Sequence, residues 1–296
     1  MASVDICICT FRRPHLAETM RSVARADSGG HQLRIIIADN DHEPTARALV
    51  EELRAELGLP VTYLHAPAAN ICIARNACLD RAEADFVAFI DDDEVVSTGW
   101  IAALMARAEA TGAAAVLGPA LAVYGPEAPR WMVEGDFHST YPVFVGGVIR
   151  TGYTCNVLIR WSAPYRGLRF DVALGQSGGE DTAFFYQLSG LRGTIDYAPE
   201  AVVEDPVPAN RATMAWLVRR RLRFGQTHGM LQDNAGAKAL AVVAAKISYC
   251  GAMTALTAFS PVRRRRNWLR AVLHVGVAGG MLGVRQAVHY GHSSPS

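Results

Sequence analysis

Four acids in a row, Asp91-Asp92-Asp93-Glu94, stand directly after the apolar stretch Phe86-Val87-Ala88-Phe89-Ile90. That much negative charge in one place is tolerable only if the group is solvated, protonated or holding a cation. Carboxylate oxygens are hard ligands suited to Mg²⁺ or Mn²⁺, and such ions in turn grip diphosphates. A solvated turn has the same composition. A second acid pair, Glu180-Asp181, follows Gly178-Gly179 and opens a helical stretch through Leu188. Acids there are either first-turn residues matched to the helix dipole or a general base held above a ligand, with the glycines leaving room for close approach. The third group is basic. Arg219, Arg220, Arg221 and Arg223 crowd into five positions, as a solvated helix face or as counter-charge for an anionic ligand.

The five apolar residues before the first acids lack polar alternation, so they read as a strand covered on both faces. Val4 to Cys9, Leu33 to Ala38 and Val61 to Leu64 read as further strands. Helical patterns from His15 to Ala26, Thr45 to Leu57 and about Ile71 to Ala82 separate them. Beyond the acids come a helix from Trp100 to Thr111, a buried strand from Ala113 to Leu117, an irregular section from Gly118 to Gly147 and a strand within Val148 to Arg160. This alternation predicts an α/β fold with a mixed, mostly parallel sheet between helices. In such sheets ligands sit beyond the carboxyl ends of the strands, which is where the acids begin. The irregular section holds Tyr124, Trp131, Phe137, His138 and Tyr141, which either stack on a sugar ring or cap the open side of the sheet.

Neither GxGxxG nor GxxxxGK[ST] occurs, so dinucleotide-binding and P-loop readings lose their main support. Phosphate recognition then falls to amides at the Ile71 helix start, to Arg75, to the later arginines and to a metal on the aspartates. A net charge of +1 gives no overall field for nucleic acid, although the arginines concentrate in the last third. The six cysteines form no CxxC pair, which fits reduced thiols, and Cys7 and Cys9 alternate toward one face of the first strand. The opening MASVDICICT reads as a strand and not as a signal peptide. Near the end, the apolar runs Ala239 to Pro261 and Trp268 to Tyr290 flank Arg263 to Arg266. They suit amphipathic helices lying on a membrane, helices packed on the catalytic part or in a dimer, or spanning helices.

Five stretches taken in order, VDICICTFRRP, IIADN, NICIARN, FIDDDE and GGEDTAF, resemble the family 2 glycosyltransferases of the GT-A fold over about residues 3 to 225. VEDPVPANRATMAWLVRRRLRFGQTHG adds a likeness to bacterial transferases of succinoglycan-type exopolysaccharide synthesis. The resemblance implies a catalytic domain over residues 1–235 and a helical C-terminal region over 236–296. It implies a metal-dependent, inverting hexosyltransferase that takes a nucleotide-diphosphate sugar, most simply a UDP-sugar, to a saccharide or lipid-linked acceptor. Thr10 and Asp39 would meet the nucleobase, Arg75 would lie by the nucleotide, and Asp91 and Asp92 would face ribose and sugar. Asp93, with Asp91, would hold Mg²⁺ or Mn²⁺. Asp181 would be the base, with Glu180 an acceptor-side neighbour or alternate base, and Arg220 and Arg223 would neutralise the diphosphate. Relatives often carry His-Glu where this chain has Glu204-Asp205, which makes Glu204 a further candidate metal contact. The expected location is the cytoplasm or the cytoplasmic side of the inner membrane. A non-catalytic sugar-nucleotide-binding subunit and a nucleotidylyltransferase are the competing classes. The acid triplet with Asp181 argues against the first, and the missing glycines after the first strand argue against the second.

Overall fold

The computed structural model describes residues 1–231 and 236–284. The expected division at residue 235 and the run from Arg285 to Tyr290 lie outside the described residues. In chain order the elements begin with β1 (Ser3–Thr10), α1 (Leu16–Arg25), β2 (Gln32–Asp39), α2 (Arg47–Glu56), β3 (Val61–His65), α3 (Ile71–Arg81) and β4 (Phe86–Asp91). They continue with β5 (Val95–Val96), α4 (Trp100–Thr111), β6 (Ala115–Leu117), β7 (Ala120–Tyr124), α5 (Arg130–Gly135), β8 (Phe144–Val145), β9 (Val148–Ile149) and β10 (Asn156–Arg160). Then come α6 (Glu180–Gly190), β11 (Ile195–Tyr197), β12 (Val203–Val207), α7 (Met214–Met230), α8 (Ala237–Leu256) and α9 (Pro261–Met281).

Among the described residues the larger sheet runs β3-β2-β1-β4-β10-β6-β11-β9-β8. Its first four strands are parallel, and β10 lies antiparallel between β4 and β6. Period-two alternation splits the strand side chains between two cores. Ile6, Ile8, Ile35, Ile37, Ala88 and Ile90 pack with Leu16 and Met20 of α1, Val50 of α2 and Trp100 of α4. Cys7, Ile36, Val87, Phe89 and Val157 pack with Cys72 and Cys78 of α3 and Phe184 and Leu188 of α6. Helices on both faces of a mostly parallel sheet are the expected α/β architecture. Cys7 is buried and Cys9 packs against the same cluster, as their alternation predicts.

The register decides what stands at the edge of the sheet. Thr10 pairs with Asp39, Asp39 with His65 and Cys9 with Asp91, so the polar ends of β1, β2 and β4 share one edge. Polar Asn156 begins β10 there and is fully buried. Its Oδ1 accepts from Trp100 Nε1 at 2.8 Å, and its Nδ2 donates to the carbonyls of Pro119 (2.9 Å) and Ala201 (2.7 Å). With its polar atoms partnered, Asn156 avoids the desolvation penalty of a buried amide and ties the main sheet to its neighbour.

The section from Gly118 to Gly147 is not irregular throughout. It contributes β7, α5 and β8, and β7 joins β5 and β12 in a second sheet ordered β5-β12-β7. The sequence hid it because β5 is two residues long and β12 carries Glu204, Asp205 and Pro206, against ordinary strand propensity. Of the two expectations for its aromatics, capping describes most of them. Phe137 and His138 are buried, Trp131 meets Phe137 edge-on at 5.2 Å, and His138 stacks on Trp216 of α7 at 5.0 Å. Tyr141 alone of the five is largely exposed.

Helix α9 returns along α7 through two matched glycine pairs, Gly225 and Gly229 on α7 and Gly276 and Gly280 on α9. A Cβ at Gly225 would overlap the Leu273 carbonyl, and one at Gly276 would overlap the Leu222 carbonyl. At Gly280 it would overlap the Gln226 carbonyl. Four-residue spacing of small residues on both partners lets the backbones touch, a pattern also common where helices meet in membranes. Of the three readings of the tail, packing against the preceding chain describes α9, through its seam with α7. Alanine in place of glycine gains about 1 kcal/mol of helix propensity, but here the colliding atoms are backbone and cannot rotate away. Gly225→Leu should lose a net stability of about 2 kcal/mol, read as a lower urea midpoint. An unchanged midpoint would show that the seam is looser than described.

Candidate active site

The floor of the site is the carboxyl edge of β1, β2 and β4. Asp39 is fully buried, and its Oδ2 accepts from the Tyr63 hydroxyl at 2.8 Å and the Ala46 amide at 2.9 Å. Beside it Arg12 grips Asp41 through two bonds of 2.7 and 2.8 Å, fixing the loop after β2 against the loop after β1. Thr10 is buried at the end of β1, next to Asp92. The acids after β4 differ in setting. Burial raises Asp91 to about 6, with Asp93 and Asp205 adding to the rise and Arg75 opposing it. Burial likewise raises Asp92 to about 7, opposed by Thr10 and Arg13. Glu94 is buried with its Oε2 accepting the Asp91 amide at 2.9 Å, and burial followed by repulsion from Asp91 lifts it well above the usual carboxylate range. Arg13 approaches Asp92 at 3.8 Å and Asp93 at 3.5 Å.

The wall is the start of α6. Gly178 and Gly179 have φ of +94° and +97°, a backbone that favours glycine, and they turn the chain into the helix so that Glu180 and Asp181 point inward. Arg75 on α3 is 7% exposed, and its Nη1 donates to Glu180 Oε1 at 2.7 Å and Asp181 Oδ1 at 2.8 Å. Thr154, two residues ahead of β10, donates its hydroxyl to Asp181 Oδ1 at 3.0 Å and its amide to Oδ2 at 3.3 Å. Burial raises Asp181 to about 7, with Arg75 pulling down and Glu180 and Asp91 pushing up. Asp91 acts on both Arg75 and Asp181, so the two acid groups, some ninety residues apart in the chain, share one electrostatic neighbourhood.

The roof is α7. Arg220 lies between the rings of Trp216 (5.1 Å) and Phe224 (5.2 Å) and donates to the His138 carbonyl at 3.2 Å and Thr140 Oγ1 at 3.4 Å. Burial lowers it to about 10. Arg223, one turn on, is drawn by Glu180. The expectation for Glu204 needs correcting by one residue. Neighbours on a strand face opposite ways, and on β12 it is Asp205 that faces the site, raised by burial and by Asp93 and lowered by Arg211, Arg220 and Arg13. Glu204 is exposed and lines a separate cavity of about 270 Å³ with Ser22, Arg25 and Thr98.

Thr10, Asp39, Arg75, Asp91, Asp92, Asp93, Glu180, Asp181, Arg220 and Arg223 are thus brought to one end of the sheet. Sequence reasoning passed over Arg13, Thr154, Asp205 and Arg211. Arg13 stands three residues past a strand end and Thr154 just before another, positions from which a side chain can reach the edge. Nothing in the spacing marks Arg211. Among the described residues no three His, Cys, Asp or Glu side chains form a ready-made metal cluster. The set still fits a hard divalent cation. Asp92 Oδ2 is buried without a hydrogen-bond partner, and burial, with repulsion from neighbouring acids, raises Asp91, Asp92 and Asp205 above the usual carboxylate range. Mg²⁺-type ions commonly take only one or two carboxylates, with phosphate and water as their other ligands.

Residues 5–167 match the family described as glycosyl transferase family 2. The chain is 53% identical over 295 residues to the succinoglycan biosynthesis protein ExoM of Rhizobium meliloti, covering 97% of this chain and 96% of that one. It is 30% identical over 114 residues to the GalNAc(5)-diNAcBac-PP-undecaprenol beta-1,3-glucosyltransferase of Campylobacter jejuni, covering 36% of this chain and 35% of that one. In fold it is similar to the mannosyltransferase PcManGT of Pyrobaculum calidifontis, solved with GDP-Man and Mn²⁺, at a TM-score of 0.63 and 17% identity over 95% of this chain and 88% of that one. It is also similar to S. aureus TarS 1-349, at a TM-score of 0.53 and 15% identity over 99% of this chain and 98% of that one. A mixed sheet flanked by helices, acids at its carboxyl edge and near-full-length identity to a relative agree with the family match, and the chain belongs to glycosyl transferase family 2, with the GT-A fold.

Proposed function

We propose that this chain is an inverting hexosyltransferase that moves a sugar from a nucleotide-diphosphate donor, a UDP-sugar, to a saccharide on a lipid-linked acceptor during assembly of a succinoglycan-type exopolysaccharide. The observation that carries this reading is the meeting of the Asp91–Asp93 turn with Asp181 around Arg75 and Thr154. The likeness to ExoM supports the pathway, and the undecaprenol-linked substrate in the Campylobacter relative's name supports the acceptor class. Residues 1–235 form the transferring part in this reading. The hairpin of α8 and α9 sits at the cytoplasmic face of the inner membrane.

The nucleobase rests where Thr10 and Asp39 close the edge of the sheet, and Asp91 and Asp92 address the ribose and the donor sugar. Asp93 and Asp91, with Asp205 in place of Glu204, would hold Mg²⁺ or Mn²⁺, which when bound supplies positive charge to the departing diphosphate. Arg13, Arg211, Arg220 and Arg223 add fixed positive charge around the same phosphates. Asp181 takes the proton of the acceptor hydroxyl as that oxygen attacks the anomeric carbon from the face opposite the nucleotide, and this single displacement inverts the centre. Thr154 and Arg75 hold the carboxylate in place. The base must stand across the sugar from the leaving phosphates, which is why two acid groups are needed.

Asp181→Asn should retain donor affinity and lose transfer by about two orders of magnitude or more, read as release of nucleoside diphosphate against a panel of nucleotide sugars. Wild-type activity in that variant would remove Asp181 from the base role. With Asp181 raised to about 7, the working carboxylate is lost as pH falls through that value, so kcat/KM should drop below pH 7. Arg75 favours the ionised form, so Arg75→Gln should move the midpoint of the profile to higher pH. A midpoint that stays put would free Asp181 from that influence. Asp93→Ala should lose metal-dependent donor binding by calorimetry, and unchanged affinity would reassign the metal contact.

A further inference from the structure

Transfer chemistry makes no use of a cavity of about 150 Å³ between the end of α5, α7 and α9, lined by Arg221, Arg266 and Arg270 with Asp136, Phe137 and Leu269. Water occupies about 30 Å³ per molecule in the liquid, so the space admits a phosphate group. Three guanidiniums meet one carboxylate there, and that carboxylate already accepts the Tyr141 hydroxyl at 3.0 Å. None of the three arginines has an ion-pair partner within 4 Å among the described residues. Arg266 donates one bond, to the Gly135 carbonyl at 2.8 Å. Burial and the nearby Arg266 both disfavour the charge on Arg221. Such a cluster is short of negative charge, and planar guanidiniums are suited to taking phosphate oxygens in pairs.

The surroundings say where the phosphate comes from. Helix α8 is, among the described residues, the one helix long and apolar enough by length and composition to cross a membrane, yet it is mostly unburied. Along it and at the turn into α9, Val242, Tyr249, Leu256 and Phe259 are exposed, Phe259 at 98%. Arg263 and Arg264 follow at once, also exposed. Arg266 and Arg270 lie farther along the same helix, about 9 and 15 Å past Ser260 at 1.5 Å per residue. An apolar surface beside exposed arginines complements an anionic bilayer and not a neutral one.

We propose that the Arg221, Arg266 and Arg270 cavity binds the phosphate of an anionic phospholipid headgroup and so seats the α8–α9 hairpin on the membrane surface. This gives the membrane contact in the proposed function a specific site and is independent of which sugar is moved. The test is cosedimentation of the full chain with phosphatidylcholine vesicles with and without phosphatidylglycerol. The wild type should prefer the anionic vesicles, and the triple variant Arg221→Gln, Arg266→Gln, Arg270→Gln should lose about tenfold or more of that binding. Phe259→Ser should weaken binding to both vesicle types. Donor hydrolysis in detergent should stay within about twofold of wild type in the triple variant, showing a folded catalytic part. The proposal fails if phosphatidylglycerol makes no difference or if the triple variant binds like wild type. It fails equally if Arg263→Gln with Arg264→Gln costs as much as the cavity set, because attraction would then be diffuse. Absence of donor hydrolysis in the wild type would sink the transferase reading alone, since vesicle binding is measured without substrate.

Discussion

A buried guanidinium holds this site together. Arg75 comes from α3, before the acidic turn, and binds both acids that open α6, more than a hundred residues later. Taking a charge that deep is costly unless it is paired and hydrogen-bonded, and removing one partner of such a pair leaves the other uncompensated. The arrangement therefore constrains α3, α6 and the end of β4 together, because Arg75 also feels Asp91. Asn70 reinforces it. This residue caps α3 by accepting from the Cys72 and Ile73 amides, and its Nδ2 donates to the Val172 carbonyl in the segment leading to α6. The stretch NICIARN thus both starts a helix and pins the loop that delivers Asp181.

Much of this was legible in the sequence, for definite reasons. Apolar runs ending in polar residues mark strands whose carboxyl ends meet, so Thr10, Asp39 and Asp91 could be assigned to one edge before any pairing was known. Helix limits such as Trp100 to Thr111 follow from periodicity and from Gly112, which closes the helix with φ of +67°. The second sheet was not legible. Strand β5 is too short and β12 too polar to show periodicity, and the pairing of β12 with β7 spans some eighty residues. That gap explains the displaced acid on β12, because facing can be read only once the strand is known to be one. Thr154 and Arg211 escaped for a related reason, since a residue in a loop gains its role from what the fold places opposite.

Helix α7 serves two neighbours at once. Arg220 and Arg223 lie one turn apart toward the acids, while Gly225 and Gly229 give the helix to α9. His138 helps orient the first of these faces. Burial lowers it to about 4, so it is uncharged at neutral pH and stacks on Trp216, and its carbonyl accepts from Arg220. The aromatic group between β7 and α7 is therefore structural support for an arginine, a role that its composition did not distinguish from sugar stacking.

The glycine seam has a consequence for how this chain can vary. At Gly225, Gly229, Gly276 and Gly280 the facing atoms are main chain, so no rotamer choice on the partner can make room for a larger residue. A compensating change elsewhere would have to shift a whole helix, and with it the arginines over the acids. Drift at these four positions is closed off as firmly as at the carboxylates themselves, though none of the four carries a side chain able to react.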